Sequence, residues 1–173
     1  MILTGPAIAS GVADGSITID PFDPGQVNPN SYNYRLGNII HRVQPDKNGN
    51  VADAVISKVD LVEGRVLLKR HNLYLATTFE RIGSKSFVTS LIGRSSLGRL
   101  GLFLQVAANI GHQGTAHKWT LEMMPVLDIY VYPGQIIGQV SFWACEGSPF
   151  AYGGWYAHHD VPMPSRLPPR VEK

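Results

Sequence analysis

Two guanidinium groups and two hydroxyls fall within one short block, Gly93-Arg-Ser-Ser-Leu-Gly-Arg99, and a lone carboxylate follows in Trp119-Thr-Leu-Glu-Met123. Charged groups set among apolar neighbours are costly unless paired, so these two stretches are where chemistry is expected. Read as a strand, Lys118–Met123 sends Trp119, Leu121 and Met123 to one face and Lys118, Thr120 and Glu122 to the other. On the wall of a dry pocket, desolvation would raise the pKa of Glu122 and a neighbouring arginine would pull it down. That balance suits a general base taking a proton from water near neutral pH. The same pattern also fits a glutamate facing solvent. A single helical turn over Arg94, Ser95, Ser96 and Arg99 would offer backbone N–H groups, Arg94 and Ser96 to an anion. The bland alternative is a solvated turn. The block lacks the Gly-Lys-Ser/Thr end of a P-loop.

Other constellations are poorer. His112 and His117 share the loop Gly111-His-Gln-Gly-Thr-Ala-His117, with no further ligand at zinc spacing. The His-x-Glu with Pro-Cys-x-x-Cys of zinc deaminases is absent. His158-His159 read as arm residues or pocket donors rather than metal ligands. No Gly-x-Ser-x-Gly elbow occurs, and Cys145 sits beside Phe142, Trp143 and Ala144, where a buried structural thiol is expected. Acyl-enzyme chemistry therefore has no support.

The elements that must position these residues read as short strands. With 173 residues, one domain with a real core is expected. The 44% hydrophobic and 16% charged content suits a soluble globular chain. A net charge of +2 without a basic, aromatic-interleaved block argues against a nucleic-acid binder. One cysteine excludes an intrachain disulfide framework. The start, MILTGPAIASGVADG, lacks the charged region and apolar run of a signal peptide, and no run of 18 apolar residues suggests a membrane span. The expected setting is cytoplasmic.

One short helix is predicted in residues 1–15, with Thr4 at its N-cap, Pro6 in its first turn and Ile8 and Val12 on one face. Strands are then predicted at Ser16–Ile19, Ser31–Leu36, Ile39–Val43, Ala54–Leu61, Arg65–Lys69 and Leu73–Phe79. More follow at Ser86–Ile92, Leu100–Ala107, Lys118–Met124, Ile129–Tyr132 and Gln135–Trp143. This regular spacing points to an all-β sandwich or barrel. Pro45–Asn50 reads as a polar turn, and Tyr132-Pro-Gly-Gln135 as a type II turn. From Gly147 the chain is rich in Gly, Pro and aromatics, and 147–173 is expected to be a C-terminal arm on a single domain spanning 1–173.

The block Gly93-Arg-Ser-Ser-Leu-Gly-Arg-Leu-Gly-Leu102, with Glu122 in a Thr-Leu-Glu strand at a matching interval, resembles the dCTP deaminases of the dUTPase superfamily. Met1-Ile-Leu, Pro29-Asn-Ser-Tyr-Asn-Tyr-Arg-Leu-Gly37, Leu75-Ala-Thr-Thr-Phe-Glu80, Pro133-Gly-Gln-Ile-Ile-Gly-Gln139 and Pro164-Ser-Arg-Leu167 extend the resemblance over nearly the whole chain. It implies a distorted β-barrel or jelly-roll with one or two short helices, forming a homotrimer with shared active sites. It also implies zinc-independent deamination of a cytosine nucleotide, with Glu122 activating water for attack at C4. Ser95 and the backbone of Ala108 would orient the water, and Arg99 would stabilise the arrangement. Arg94, Ser96 and the turn amides of Leu97 and Gly98 would hold phosphate oxygens, with Mg2+ carried by the phosphates. His112, Thr120, Leu121, Tyr152, Trp155 and His159 would complete the pyrimidine nucleotide site, the arm closing over it.

Four positions depart from the family pattern. His112 stands at a loop aspartate, Asn33 at an early aspartate, Trp155 at an arm lysine and His159 at an arm glutamine. These groups choose sugar and phosphate, so a monophosphate, a ribonucleotide or a modified cytosine nucleotide stays open beside dCTP. Two further functions are compatible with the residues: a dUTPase-like diphosphatase and a silent nucleotide-binding homologue.

Overall fold

The computed structural model describes residues 1–45, 55–105, 107–148 and 150–165. The N-terminal helix is α1 (Gly5–Asp14), with Thr4 extended at its N-cap and Gly15 left-handed at its C-cap. Ile8 is fully buried and Val12 packs against the core. Among the described residues, fourteen strands follow as three antiparallel sheets. β1 (Ile17–Asp20), β7 (Arg81–Ser84) and β11 (Thr115–His117) form one, with β7 central. β5 (Val66–Leu68) and β13 (Ile129–Val131) form a ribbon.

The large sheet runs β10 (Ile110–Gly111), β8 (Phe87–Gly93), β14 (Ile136–Ala144), β3 (Ser31–Gln44), β6 (Leu73–Thr78), β12 (Thr120–Pro125), β9 (Leu102–Leu104). β2 (Val27–Asn28) and β4 (Val55–Lys58) also pair with β3. The sheet curls into a half-barrel around Tyr32, Tyr34, Leu36, Leu91, Leu121, Val140 and Phe142, each at most 1% exposed. The all-β expectation holds.

Several boundaries differ from expectation for identifiable reasons. Ser31–Leu36 and Ile39–Val43 are one strand, β3, which pairs with β14 in its first half and with β6 in its second. The register shifts between Leu36 and Ile40, and Gly37 sits there because a Cβ would press on Thr77 Oγ1 and the Thr77 carbonyl. Leu100–Ala107 is cut to Leu102–Leu104, because Ser95–Gly98 forms a helical turn, α2, and Gln105 turns left-handed at φ 52°. Cys145 corrects the buried-thiol reading: it lies just past the end of β14 and is exposed. The type II turn is present, with Gly134 at φ 80°. The polar turn after Pro45 lies outside the described residues, as does the chain after Ser165.

One buried ion pair ties the sheets together. Glu80 is fully buried and accepts from Arg35 Nε at 2.6 Å, Arg35 N–H at 2.9 Å and Gln26 Nε2 at 3.4 Å. A buried carboxylate persists only when its lone pairs are met in this way.

Candidate active site

Between β11 and β12 the chain crosses from the small sheet to the large one, and a cavity of about 250 Å3 opens at that crossing. Glu122 reaches it by strand alternation. Leu121 and Met123 are fully buried in the core, whereas Thr120 and Glu122 face the cavity. Trp119 breaks the expected alternation because β12 begins only at Thr120. Its ring lines the cavity instead, held by Nε1 donating to Ile82 O at 2.8 Å. The ring lies over Gly111, where a Cβ would fall on it, so a side chain at 111 would displace this wall.

The opposite wall is the segment after β9. Gln105 Oε1 accepts from Glu122 N–H at 2.7 Å, and Gln105 Nε2 donates to Ala108 O at 3.1 Å. Gln105 N–H also donates to Glu122 O at 3.2 Å. Glu122 and Ala108 are thus brought to one cavity, joined through one amide. Glu122 is the only carboxylate on the cavity wall among the described residues.

His112, His117 and His159 give the cavity three imidazoles. His117 is buried, 4.3 Å from Trp119 between ring centroids, and its Nδ1–H points to Lys118 O at 3.0 Å. Burial holds its pKa below the ordinary histidine value, with the Lys118 carbonyl and Asp160 opposing. His112 stacks on Tyr152 at 4.9 Å. His159 packs 4.3 Å from Trp155, and its buried Nε2 has no hydrogen-bond partner among the described residues. No group of three or more His, Cys, Asp or Glu side chains able to hold a metal occurs among those residues.

Residues 150–163 close one side of the cavity with Tyr152, Tyr156, His159 and Met163. Tyr152 N–H donates to Gln113 O at 3.1 Å, and Met163 N–H to Thr120 Oγ1 at 3.1 Å. Asp160 accepts from Lys118 N–H at 2.9 Å and pairs with Arg81, whose Nη2 donates to Ala116 O at 3.0 Å. Ala157, in the short helical turn Trp155–His158, is fully buried. Trp155 itself stays off the cavity wall and supports His159.

Of the site residues expected from sequence, Ala108, His112, Thr120, Glu122, Tyr152 and His159 line this cavity. Arg94, Ser95, Ser96, Leu97, Gly98 and Arg99 do not. They form α2 with its caps Arg94 and Arg99, where Ser95, Ser96 and Arg99 are exposed and Leu97 is buried in the core. Leu121 likewise keeps its side chain in the core. Sequence reasoning missed Gln105, Ile110, Thr115, Trp119, Tyr156 and Met163 as cavity residues, and weighed His117 only as a zinc ligand. The one signal for Gln105 was a polar residue inside the apolar run Leu100–Ala107.

A family model described as dCTP deaminase-like matches residues 2–145. The chain belongs to the dCTP deaminase-like family. It is 38% identical over 174 residues to a protein of Cytophaga hutchinsonii named dCTP deaminase, dUMP-forming, with all of both chains covered. A protein of Hathewaya histolytica with the same name is also 38% identical, over 96% of this chain and 97% of its own. Among solved structures, the 2'-deoxycytidine 5'-triphosphate deaminase from Agrobacterium tumefaciens shares the fold of this family member at TM-score 0.66 and 24% identity. That match covers 82% of this chain and 47% of the other.

Proposed function

We propose that the protein hydrolytically deaminates a cytosine nucleotide, dCTP being the substrate for which its full-length relatives are named. The observation that carries the reading is Glu122 standing, among the described residues, as the only carboxylate on the cavity wall, across Gln105 from Ala108. Glu122 takes a proton from a water that also donates to Ala108 O. The water oxygen bonds to C4 as the C4–N3 π pair moves to N3, the C4–N4 bond breaks as the Glu122 proton passes to the departing ammonia, and the remaining hydroxyl proton moves to N3 to leave the C4 carbonyl of uracil. Trp119, His117, His112 and Tyr152 present aromatic faces to the planar base and sugar. The unpartnered Nε2 of His159 supports a contact to the nucleotide.

The α2 residues act in this reading on a neighbour's cavity. Arg94 and Arg99 bring charge to phosphate, Ser95 helps orient the water and Ser96 offers a hydroxyl. Leu97 and Gly98 N–H both bond back to Arg94 O, and Arg99 N–H to Ser95 O, so the amides best placed for phosphate are those of Ser95 and Ser96. Beside α2, Leu100, Phe103, Met124, Val126 and Leu127 are 43% to 59% exposed, an apolar face suited to a second and third copy. In this reading that face is the contact of a homotrimer with shared sites. Magnesium, in this reading, rides on the substrate's phosphates. Residues 147–173 act as the arm, and the setting is cytoplasmic.

The dUMP-forming names support a second reading in which the triphosphate is also cleaved. Ammonia and pyrophosphate release from dCTP, CTP, dCMP and CMP tests both. Ammonia alone fits the deaminase, both products fit the bifunctional enzyme, and neither from a folded protein refutes the function. Glu122→Gln should lower ammonia release by at least about 100-fold, the range of general base catalysis. Co-expressing Glu122→Gln chains with Arg99→Ala chains should restore part of the activity. Failure to do so would refute sharing of the sites.

A further inference from the structure

We infer that Gln105 is a positioning residue that sets the distance between the Glu122 carboxylate and the Ala108 carbonyl, and through it the place of the attacking water. The inference rests on the deaminase reading for its chemistry, but its geometry stands alone. Gln105 is 6% exposed and holds φ 52°, a left-handed conformation that a non-glycine residue adopts at a cost. What it gains there is a three-bond clamp. Its side-chain carbonyl accepts the Glu122 N–H at 2.7 Å, and its own N–H donates to the Glu122 carbonyl at 3.2 Å. Both backbone polar groups of Glu122 are thus held by one residue. Its side-chain N–H then donates to Ala108 O at 3.1 Å.

The direction of these bonds matters. Glu122 N–H, the Gln105 amide and the Ala108 carbonyl form a chain in which the amide accepts at Oε1 and donates at Nε2, so the two bonds polarise one another. A carbonyl oxygen has two lone pairs; Gln105 occupies one of Ala108's and leaves one for a water O–H. The register of β12 against β6 fixes Glu122 along the sheet, opposite Leu75, but Ala108 lies in no strand. Its bond to Gln105 is therefore what couples that loop to the base. A shift of about 1 Å between base and water costs on the order of 100-fold in rate, with little effect on binding groups elsewhere.

Two substitutions of matched length separate the bonds. Gln105→Met has neither donor nor acceptor. In Gln105→Glu the ionised carboxylate can still accept the Glu122 N–H but faces Ala108 O with an acceptor. Both should lower kcat for dCTP by about 100-fold, with KM within threefold, and both should speed amide exchange at Leu91, whose N–H donates to Asn109 O at 2.8 Å and so reports how firmly the loop is held. Gln105→Glu keeping wild-type kcat would show that only the Glu122 N–H bond matters, and would overturn the coupling to Ala108. Loss confined to KM would overturn it equally. Should the methionine variant not fold, Gln105→Glu decides alone, with Gln105→Asn, one methylene short but carrying both groups, as its companion. Exchange is read without substrate. Wild-type protein that releases no ammonia, with faster exchange in the variants, would refute the deaminase reading and leave the clamp standing. Unchanged exchange would refute the clamp whatever the activity.

Discussion

Removing the Asp160 carboxylate should loosen the segment 150–163 from the cavity, and the size of the effect follows from its bonds. Asp160 makes a charge-assisted bond to Lys118 N–H at 2.9 Å and an ion pair with Arg81. The pair is largely solvated, at 42% and 46% side-chain exposure, so it contributes no more than about 1 kcal/mol. The bond to a charged acceptor contributes about 1.5–3 kcal/mol, taken near its lower end because Asp160 is exposed. Asp160→Ala should thus shift the docking equilibrium by about 2 kcal/mol, close to 30-fold. Hydrogen exchange of the Tyr152 and Met163 amides, bonded to Gln113 O and Thr120 Oγ1, reads that shift directly. Protection should fall by about 30-fold while the amides of β3 and β14 keep theirs. Because Tyr152, Tyr156, His159 and Met163 wall the cavity, KM should rise with kcat less affected. Protection unchanged within twofold would refute the reasoning and assign the docking to Ala157 and its neighbours.

Glu80→Leu strands the Arg35 guanidinium, which is only 24% exposed, and should cost about 3–5 kcal/mol. At about 2–4 °C per kcal/mol for a chain of this size, Tm should fall by roughly 6–20 °C; a loss under about 1 kcal/mol in urea unfolding would contradict it. Burial depresses the His117 pKa in the folded chain, so the unfolded chain binds the proton first as pH falls. The stability from neutral His117 is therefore full above about pH 6.5, its unfolded value, and drains away below it. His117→Gln should flatten the fall in Tm between about pH 7 and pH 5; an unchanged slope would assign it to other groups.

The strands were legible where apolar runs end in Gly, Pro or Asn, as at β6, β8 and β14. β7 (Arg-Ile-Gly-Ser) and β11 (Thr-Ala-His) were not, because neither has an apolar pattern of its own. They exist through pairing, β7 lying between β1 and β11. The bulge at Gly37 hid the unity of β3 for the same reason: it depends on which partners lie alongside. At the site, Glu122 could be placed by alternation, since that is a local property. Gln105 could not, because its role lies in bonds to Ala108 and Glu122 that only the fold brings into reach. The α2 block was read as close to Glu122 through its spacing; in one chain it lies off the cavity wall.

The partner change along β3 has a consequence for how the chain is made. Its second half meets β6 soon after synthesis, but its first half pairs with β14, which begins only at Ile136. At roughly 5–20 residues per second, the stretch of about 90 residues between them takes about 5–20 s to emerge from the ribosome. During that time the edge of Tyr32–Arg35 stays open to other nascent chains, joined by that of β8 once Gly93 has been made. Aggregation during synthesis should accordingly depend more on translation speed and chaperone supply than on the stability of the finished fold.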